Sequence, residues 1–297
     1  MSIVNFGSLN IDDVYSVDHI VRPGETLSAQ GYQIFPGGKG NNQSIALGRA
    51  GARVRHVGKV GADGQWLLPL LQSAGVDTSG VTTDTGPTGR AIIQVDSHGQ
   101  NSIVLFPGAN RTLSEADIRR ALEACTPDDI ILTQNETSGV GFLLAEAQAR
   151  GLFVALNPAP MGPEVLSYPL EGLGLLIVNE TEAEALVGPG TPDQILAAMA
   201  RRFPSTQVVL TLGAAGVIFQ SAAEGRFEVA GRRVSVVDTT AAGDTFLGFF
   251  LAARQRGLAV REALETANAA AAITVTRPGA ASSIPHWDEV LSASSTR

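Results

Sequence analysis

The sequence has 297 residues, with 21 Lys and Arg against 29 Asp and Glu, and therefore a formal net charge of −8. This balance argues against DNA or RNA as a partner, because neutralising a nucleic-acid backbone requires clustered basic side chains. The content of 44% hydrophobic and 17% charged residues is ordinary for a folded globular chain. No apolar stretch approaches the roughly 18 residues of a membrane span, so we expect no membrane partner either.

The cysteine and histidine residues do not indicate a disulfide framework or a metal centre. Cys125 is the only cysteine, so an intrachain disulfide is excluded. The histidines are scattered without metal-ligand spacing, which favours surface or packing roles for His19, His56, His98 and His286. The first residues lack a basic segment followed by a long apolar run, so we expect no secretory signal and a cytoplasmic protein.

Short aliphatic or β-branched runs alternate with helical patterns along the chain. The runs predict strands at 3–6, 55–60, 130–133, 153–156, 175–178, 208–212 and 235–237. Helices are predicted at 43–49, 115–124, 141–150, 182–187, 193–203 and 245–256. Strands that are apolar throughout need cover on both faces, so we expect an α/β fold with a mostly parallel, doubly wound sheet between helices. Ligands of such sheets bind beyond the carboxyl ends of the strands.

Two segments without intervening helices break this alternation. Residues 25–35 and 89–105 are rich in β-forming residues, and the second contains a turn at 97–100 that predicts a hairpin. We expect a single domain over 1–297, in which about 10–36 and 86–108 form a small β-sheet lid inserted in the α/β core. This lid would lie over the edge where the carboxyl ends of the strands meet.

The most informative motif is DTTAAGDT at 238–245, at the start of an apolar helix. Its small residues let backbone N–H groups converge on an anion, and a helix N-terminus adds partial positive charge. Asp244 is placed to accept a proton from an attacking hydroxyl while the amides stabilise a transferring phosphoryl group. A purely structural alternative makes Asp244 the N-cap of the helix and Gly243 a tight turn.

PGGKGNNQ at 36–43 is a second glycine-rich turn before a helix. Glycines allow positive φ and a close approach of the backbone to a ligand, while Lys39 and Asn42 offer donors to hydroxyls or phosphate oxygens. The segment is not a Walker A loop, because no Ser or Thr follows the Gly-Lys pair. An ordinary turn between a loop and a helix is the alternative.

Further polar residues follow other predicted strands. Asn10 and Asp12 come after the first strand, where an amide and a carboxylate together could hold adjacent hydroxyls of a sugar. Asn179 and Glu182 have the spacing of a capping box, although a carboxylate there could also orient water around Mg²⁺. The turn at 211–216 suits nucleotide phosphates but is common in α/β proteins.

Together and in this order, these motifs resemble the ribokinase-like (PfkB) carbohydrate kinases nearly from end to end. The matching segments are GSLNID at 7–12, PGGKGNNQ at 36–43, GAN at 108–110, QNE at 134–136, LNPAP at 156–160, VNETEAE at 178–184, TLGAAGV at 211–217, DTTAAGDTF at 238–246 and NAAAAITVTRPGA at 268–280. GGKG and DTxAAGD are highly specific as a pair, whereas either alone is less so.

The resemblance implies a ribokinase-like fold and ATP-dependent phosphorylation of a sugar's primary hydroxyl. It implies a catalytic group in which Asp244 is the general base, with an anion hole at Ala241, Ala242 and Gly243. Implied sugar contacts are Asn10, Asp12, Gly38, Lys39, Asn42, Glu136 and Asp244. Implied nucleotide contacts are Asn179, Thr211, Gly213, Gly216, Gly243 and Asn268, with Glu182 near Mg²⁺.

The resemblance further implies an activating monovalent cation, K⁺, and homodimers that pair through their lids. The implied oxygen ligands of the cation are Asp238, Thr240, Thr274, Arg277, Gly279 and Ser283.

Two departures from the family pattern lie near the expected sugar pocket. Asn41 stands where alanine is usual, and Phe106-Pro107 stands where smaller residues are usual. The acceptor is therefore open between D-ribose, which would give D-ribose 5-phosphate, and deoxyribose, another pentose or hexose, or a nucleoside. A non-catalytic sugar sensor is a rival from another class, and the intact DTTAAGDT motif argues against it.

Overall fold

The computed structural model describes residues 1–295. In chain order the strands are β1 (Ile3–Phe6), β2 (Asn10–Ser16), β3 (Gly31–Gly37), β4 (Val54–Val60), β5 (Val76–Thr83), β6 (Gly89–Val95), β7 (Asn101–Phe106), β8 (Ile130–Gln134), β9 (Phe153–Asn157), β10 (Leu175–Asn179), β11 (Gln207–Thr211), β12 (Gly216–Ser221) and β13 (Gly225–Ala230). The α-helices are α1 (Lys39–Arg49), α2 (Leu67–Ser73), α3 (Glu115–Glu123), α4 (Val140–Ala149), α5 (Glu180–Val187), α6 (Pro192–Arg202), α7 (Ala242–Gln255), α8 (Val260–Thr274) and α9 (Trp287–Ser295).

Nine strands form one large sheet in the order β13–β12–β11–β10–β9–β8–β1–β4–β5. All neighbours from β5 across to β11 pair in parallel, and β12 and β13 add an antiparallel edge. Successive side chains of a strand point to opposite faces, so Ile3 and Val4 enter separate apolar clusters. Helices α1, α2, α7, α8 and α9 cover the first cluster, and α3 to α6 cover the second.

Four strands form a second, smaller sheet in the order β3–β2–β6–β7, in which only β2 and β6 are parallel. Strands β6 and β7 form the predicted hairpin, closed by a bond from Asp96 N–H to Gln100 O (2.9 Å). At the base of the sheet, Arg90 pairs with Asp13 of the same sheet (2.8 Å) and with Asp63 of the α/β core (2.9 Å). The predicted fold class, a mostly parallel sheet between helices with a small separate sheet, is confirmed.

Two predicted strands differ in the structure. The strand expected from residue 25 begins only at Gly31, because Glu25 accepts a bond from Arg22 N–H (3.0 Å) and closes a local loop. The strand expected at 235–237 is wrong. The N–H groups of Val237 and Asp238 donate to Val275 O (2.7 and 3.2 Å), at the end of α8, and not to a neighbouring strand.

The helices α1 and α7 begin three to four residues earlier than expected, at Lys39 and Ala242. Each follows a residue with positive φ, Gly38 at 92° and Ala241 at 61°, which turns the chain into the helix. Within residues 1–295, no helix is long and apolar enough to cross a membrane.

Candidate active site

Polar residues from several elements gather at the edge of the large sheet where β9, β10 and β11 end. The N-termini of α1, α5 and α7 join them around a cavity of about 250 Å³. The cavity is lined by Lys39, Asn157, Ala159, Ile177, Val178, Asn179, Glu182, Thr211, Thr239, Ala241, Ala242, Gly243, Asp244 and Leu247. It therefore unites residues that were expected to serve phosphoryl transfer, sugar binding and nucleotide binding.

The first turn of α7 presents both a carboxylate and helix-start amides to this cavity. Ala241, in the left-handed conformation, is the N-cap, and Asp244 is the third residue of the helix. The alternative that made Asp244 the N-cap is therefore wrong. Of the three backbone amides expected in the anion hole, that of Ala242 already donates to Thr239 O at 3.2 Å. Gly243 lies in open space, since a Cβ added to it would meet no neighbour within 4 Å.

The Asp244 side chain is 7% exposed and is held by donors on both oxygens. Asn42 Nδ2 donates to Oδ2 (3.2 Å) and Gln43 Nε2 donates to Oδ1 (2.9 Å). The charge of Asp244 is the main reason that the pKa of Lys39 is raised, and Glu136 adds to it. Lys39 therefore stays cationic beside the carboxylate.

Glu136 lies next to the glycine-rich start of α1. Its Oε2 accepts bonds from Lys39 N–H (2.9 Å) and from the Ser8 hydroxyl. Burial is the largest cause of a raised pKa at this carboxyl. Gly40 is required here because a Cβ would lie 2.3 Å from Ser8 N.

Asn10 and Asp12 lie on one face of the small sheet, because they are two residues apart on β2. Asn110 Nδ2 donates to Asn10 Oδ1 at 2.7 Å and so orients it. Burial, followed by the charges of Glu136 and Asp13, raises the pKa of Asp12 to about 7. The structure thus places Asp12 within the electrostatic reach of Glu136, although neither lines the cavity beside Asp244.

The start of α5 also lines the cavity, and the capping box expected there is present. Asn179 Oδ1 accepts from Glu182 N–H (2.8 Å), and Glu182 Oε2 accepts from Asn179 N–H (3.1 Å). Burial raises the pKa of Glu182. The nearby turn has positive φ at Gly213 (53°) and Gly216 (118°).

Asn268, a predicted nucleotide contact, does not line this cavity. Its side-chain Nδ2 instead donates to Ala230 O at 2.7 Å, where α8 packs beside β13.

The residues expected to bind a monovalent cation come from two adjoining loops, 237–240 and 274–283. Asp238 Oδ2 accepts from Gly279 N–H (2.9 Å) and its Oδ1 accepts from Thr240 N–H (2.9 Å). Thr274 and Ser283 are buried, and their hydroxyls donate to Thr245 Oγ1 (3.1 Å) and Ala280 O (2.7 Å). The Arg277 side chain has no oxygen and pairs with Glu289 (2.7 Å), so only the backbone oxygen of Arg277 is available to a cation.

Several residues of the site were not singled out from the sequence. Ser8, Gln43 and Asn110 lie inside recognised motifs, but their partners are distant in sequence.

Asn41 is fully buried, and neither polar atom of its side-chain amide has a hydrogen-bond partner in the part of the chain that the structure describes. We find no structural reason for this residue.

The profile described as pfkB family carbohydrate kinase matches residues 1–287. A ribokinase of Haemophilus influenzae is 41% identical over 295 residues, covering 96% of this chain and 95% of that protein. A deoxyribokinase of Salmonella typhi is 33% identical and covers 97% of both chains. An Arabidopsis thaliana ribokinase, solved with ribose and ATP, has 32% identity and a TM-score of 0.86 over 98% of each chain. With this match from end to end, the chain belongs to the pfkB family of carbohydrate kinases.

Proposed function

We propose that this chain is a ribokinase, which transfers the γ-phosphoryl group of ATP to the 5-hydroxyl of D-ribose and yields D-ribose 5-phosphate and ADP. The observation that carries the proposal is the placement of Asp244, on the first turn of α7, in one cavity with Lys39 and Glu182. The 41% identity with a ribokinase across nearly all of both chains supports D-ribose as the acceptor.

In this proposal Asp244 is the general base. The donors Asn42 and Gln43 occupy one lone pair on each carboxylate oxygen, which leaves others for a substrate hydroxyl. As the 5-hydroxyl oxygen bonds to the γ-phosphorus, its proton passes to Asp244 and the bond from phosphorus to the ADP oxygen breaks. The Gly243 N–H and the positive end of α7 would stabilise the charge on the phosphoryl oxygens, whereas the Ala242 N–H already donates to Thr239 O (3.2 Å).

We propose that the sugar lies between the small sheet and the start of α1. Asn10 and Asp12 would bind it from one side, and Gly38, Lys39 and Glu136 from the other. On that second side, Asn42 has a buried side-chain oxygen without a hydrogen-bond partner among residues 1–295, which is suited to accept from a sugar hydroxyl.

We propose that the nucleotide binds along Asn179, Thr211, Gly213 and Gly216, with Mg²⁺ near Glu182. Within residues 1–295 no group of three or more acidic, histidine or cysteine side chains is placed to hold a metal. Mg²⁺ commonly binds through one or two carboxylates plus substrate phosphates, and Glu182 supplies a carboxylate to this cavity. Mg²⁺ would neutralise charge on the transferring phosphate.

We propose K⁺ as an activating cation at the 237–240 and 274–283 loops. The groups there are carboxylate, hydroxyl and backbone oxygens, a donor set that suits a hard cation. Comparing kcat and KM in K⁺, Na⁺ and choline salts at equal ionic strength tests this. Identical constants in all three salts would exclude the cation.

A coupled ADP-release assay over pentoses, hexoses and nucleosides tests the substrate. We expect the highest kcat/KM with D-ribose. Turnover of a hexose or a nucleoside together with no turnover of D-ribose would refute the assignment.

Deoxyribokinase activity is the second candidate, because a deoxyribokinase is 33% identical over 97% of both chains. The two sugars differ only in the 2-hydroxyl, so the assay compares D-ribose with 2-deoxy-D-ribose directly. A higher kcat/KM for 2-deoxy-D-ribose would assign this second activity instead.

We also propose a cytoplasmic homodimer that pairs through the small sheet. Its register places Ile34, Asp13, Ile92 and Val104 side by side across four strands. The three apolar members of this row, which we call the sheet row, are 51%, 43% and 62% exposed. Exposed apolar residues gathered on one sheet favour an interface, and a second copy of this chain would cover them.

A further inference from the structure

A string of buried amide side chains lies beneath the proposed base. Gln43, Gln134 and Asn5 are at most 1% exposed and come from α1, β8 and β1. Gln43 Nε2 donates to Asp244 Oδ1 (2.9 Å), and Gln134 Nε2 donates to Gln43 Oε1 (2.6 Å). Gln134 Nε2 also donates to Asn5 Oδ1 (2.9 Å), and Asn5 Nδ2 donates to Gly40 O (2.9 Å). The string therefore links three structural elements to the carboxylate.

The charge of Asp244 sets the orientation of these amides. An ionised carboxylate only accepts hydrogen bonds, so the nitrogen of the Gln43 amide must face it. The oxygen of Gln43 then faces Gln134, which has to present its own nitrogen. A flipped Gln43 would set oxygen against oxygen at one end and nitrogen against nitrogen at the other. One arrangement of the string is thus consistent with an ionised Asp244.

The contacts at the other end of the string, around Asn5, independently require the same orientation of the amides. Asn5 Nδ2 donates to Ser44 Oγ (2.8 Å), which lies 2.8 Å from His56 Nδ1. Gly7 O, which can only accept, lies 3.1 Å from His56 Nε2, so Nε2 carries the hydrogen and Nδ1 accepts. Burial lowers the pKa of His56 to about 4, which keeps the ring neutral. Both ends of the network therefore require the same hydrogen-bond directions.

We propose that Gln43 is a positioning residue for phosphoryl transfer, which holds the Asp244 carboxylate in the direction of the sugar hydroxyl, and that Gln134 holds Gln43. This inference rests on the proposed role of Asp244 as the base. Gln43 and Gln134 are 0% and 1% exposed, and their amides face other side chains, so neither is placed to touch substrate. Gln43 Nε2 also donates to Asn157 Oδ1 at 3.2 Å, but only its bond to Asp244 reaches the proposed base, so we expect the influence on turnover to act through the carboxylate.

The test compares Gln43→Met, Gln134→Met and the double variant with the wild type, in the ADP-release assay with D-ribose. Methionine keeps the length and unbranched shape of glutamine but lacks the amide. Gln148→Met is the control for the substitution itself, because Gln148 is a half-buried glutamine outside the string, whose amide donates to a backbone oxygen, Pro169 O (2.8 Å). It does not line the cavity.

We expect Gln43→Met to lower kcat about 10- to 100-fold while KM for ribose and for ATP stays within about threefold. Gln134→Met should lower kcat less. The double variant should match Gln43→Met, because Gln134 acts through Gln43. The rise in Tm caused by D-ribose should persist in every variant, and Gln148→Met should turn over as the wild type does.

Three results would overturn the inference: a kcat of Gln43→Met within about twofold of wild type, a ribose KM that rises as much as kcat falls, or losses that multiply in the double variant. If Gln43→Met does not fold, Gln134→Met decides, since a lower kcat at unchanged KM supports the inference and an unchanged kcat overturns it. A wild type without ribose turnover would refute the proposed function instead.

Discussion

Asp244 is surrounded by hydrogen-bond donors and by one cation. Two side-chain amides fix the direction of its carboxylate, and Lys39 lies close enough for the charge of Asp244 to raise its pKa. In the proposed reaction, this arrangement would place a proton acceptor and a positive charge on the same side of the cavity, where phosphoryl transfer needs both.

Asp244→Asn removes the proton acceptor but keeps the size of the side chain. We expect kcat with D-ribose to fall by about 10²- to 10⁴-fold, as for loss of a general base. The rise in Tm caused by D-ribose should remain, because binding does not need the proton transfer. The exposed Asp128→Asn serves as control. An unchanged kcat in Asp244→Asn would exclude it as the base.

The two lysines of the chain make a matched pair for testing the cation. Lys39→Met should lower kcat/KM by about 10-fold or more, because Asp244 and Glu136 then lose their shared counter-charge. Lys59 pairs with Asp117 (2.9 Å) away from the cavity, so Lys59→Met should leave kcat/KM unchanged. Equal losses in the two variants would contradict a specific role for Lys39.

Asp12 makes stability depend on pH. Its pKa rises from 3.8 to about 7 on folding, so the folded state binds the proton more tightly and the free energy of unfolding falls as pH rises between those values. Asp12→Asn removes this loss of stability, because asparagine does not ionise. The variant should be about 1–3 kcal/mol more stable than the wild type at pH 8 and equal to it at pH 4. Urea unfolding at both pH values measures the difference, and a pH-independent difference would contradict the argument.

Sequence motifs were sufficient to predict residues such as Asp244, Lys39 and Glu182, which line one cavity. They could not predict the positions of Gln43 and Gln134, because the partners of these amides lie 201 and 91 residues away in sequence. A buried amide acquires its role from those partners, and a single sequence does not contain them.

At the level of elements, the start of α7 depends on one unusual backbone conformation. Ala241 is the only non-glycine residue with positive φ within 1–295. This conformation turns the chain so that Thr245 N–H reaches Ala241 O (2.8 Å) and the helix begins before Asp244.

Ala241→Val places a β-branched residue in that left-handed conformation. We expect the free energy of unfolding to fall by about 1–2 kcal/mol, whereas Ala241→Gly should change it little. Ala242→Val, on the first helical residue, controls for the added side-chain volume. Urea unfolding compares the three, and equal losses in the two valine variants would show that backbone strain is not the cause.

The false strand at 235–237 shows where element prediction fails. A short β-branched run indicates an extended backbone, but a strand also needs a neighbour. Here Val236 and Val237 are 61% and 62% exposed, and the nearest backbone acceptor belongs to the end of a helix.

For the whole molecule, alternating apolar runs and helices predicted the layered α/β fold. The order of strands was not predictable, since β1 lies between β8 and β4 through pairings between distant residues. The pattern of apolar residues along a strand indicates which of its faces are buried, but it does not indicate which strands lie beside it.

The sheet row gives the oligomer a direct test. Val104→Asp introduces a charge at its most exposed member, so we expect the dimer dissociation constant to rise by about 10-fold or more, because the charge loses its water in the interface. Sedimentation over a range of concentrations measures it. Leu166→Asp, at an apolar residue with 49% exposure outside the small sheet, should not shift it. A monomeric wild type would refute the proposed dimer.

The ion pair between Arg90 and Asp63 ties one end of the small sheet to the α/β core, beside the pair of Arg90 with Asp13 within the sheet, and we call this end the pivot. The register sets Asp12 opposite Ala91, one residue from that pivot, whereas the hairpin turn lies about 20 Å along the strand at roughly 3.3 Å per residue. A rotation of about 10° would therefore move the turn by about 3.5 Å and Asp12 by about 1 Å or less. A rotation about the pivot would therefore leave the groups nearest to it almost in place.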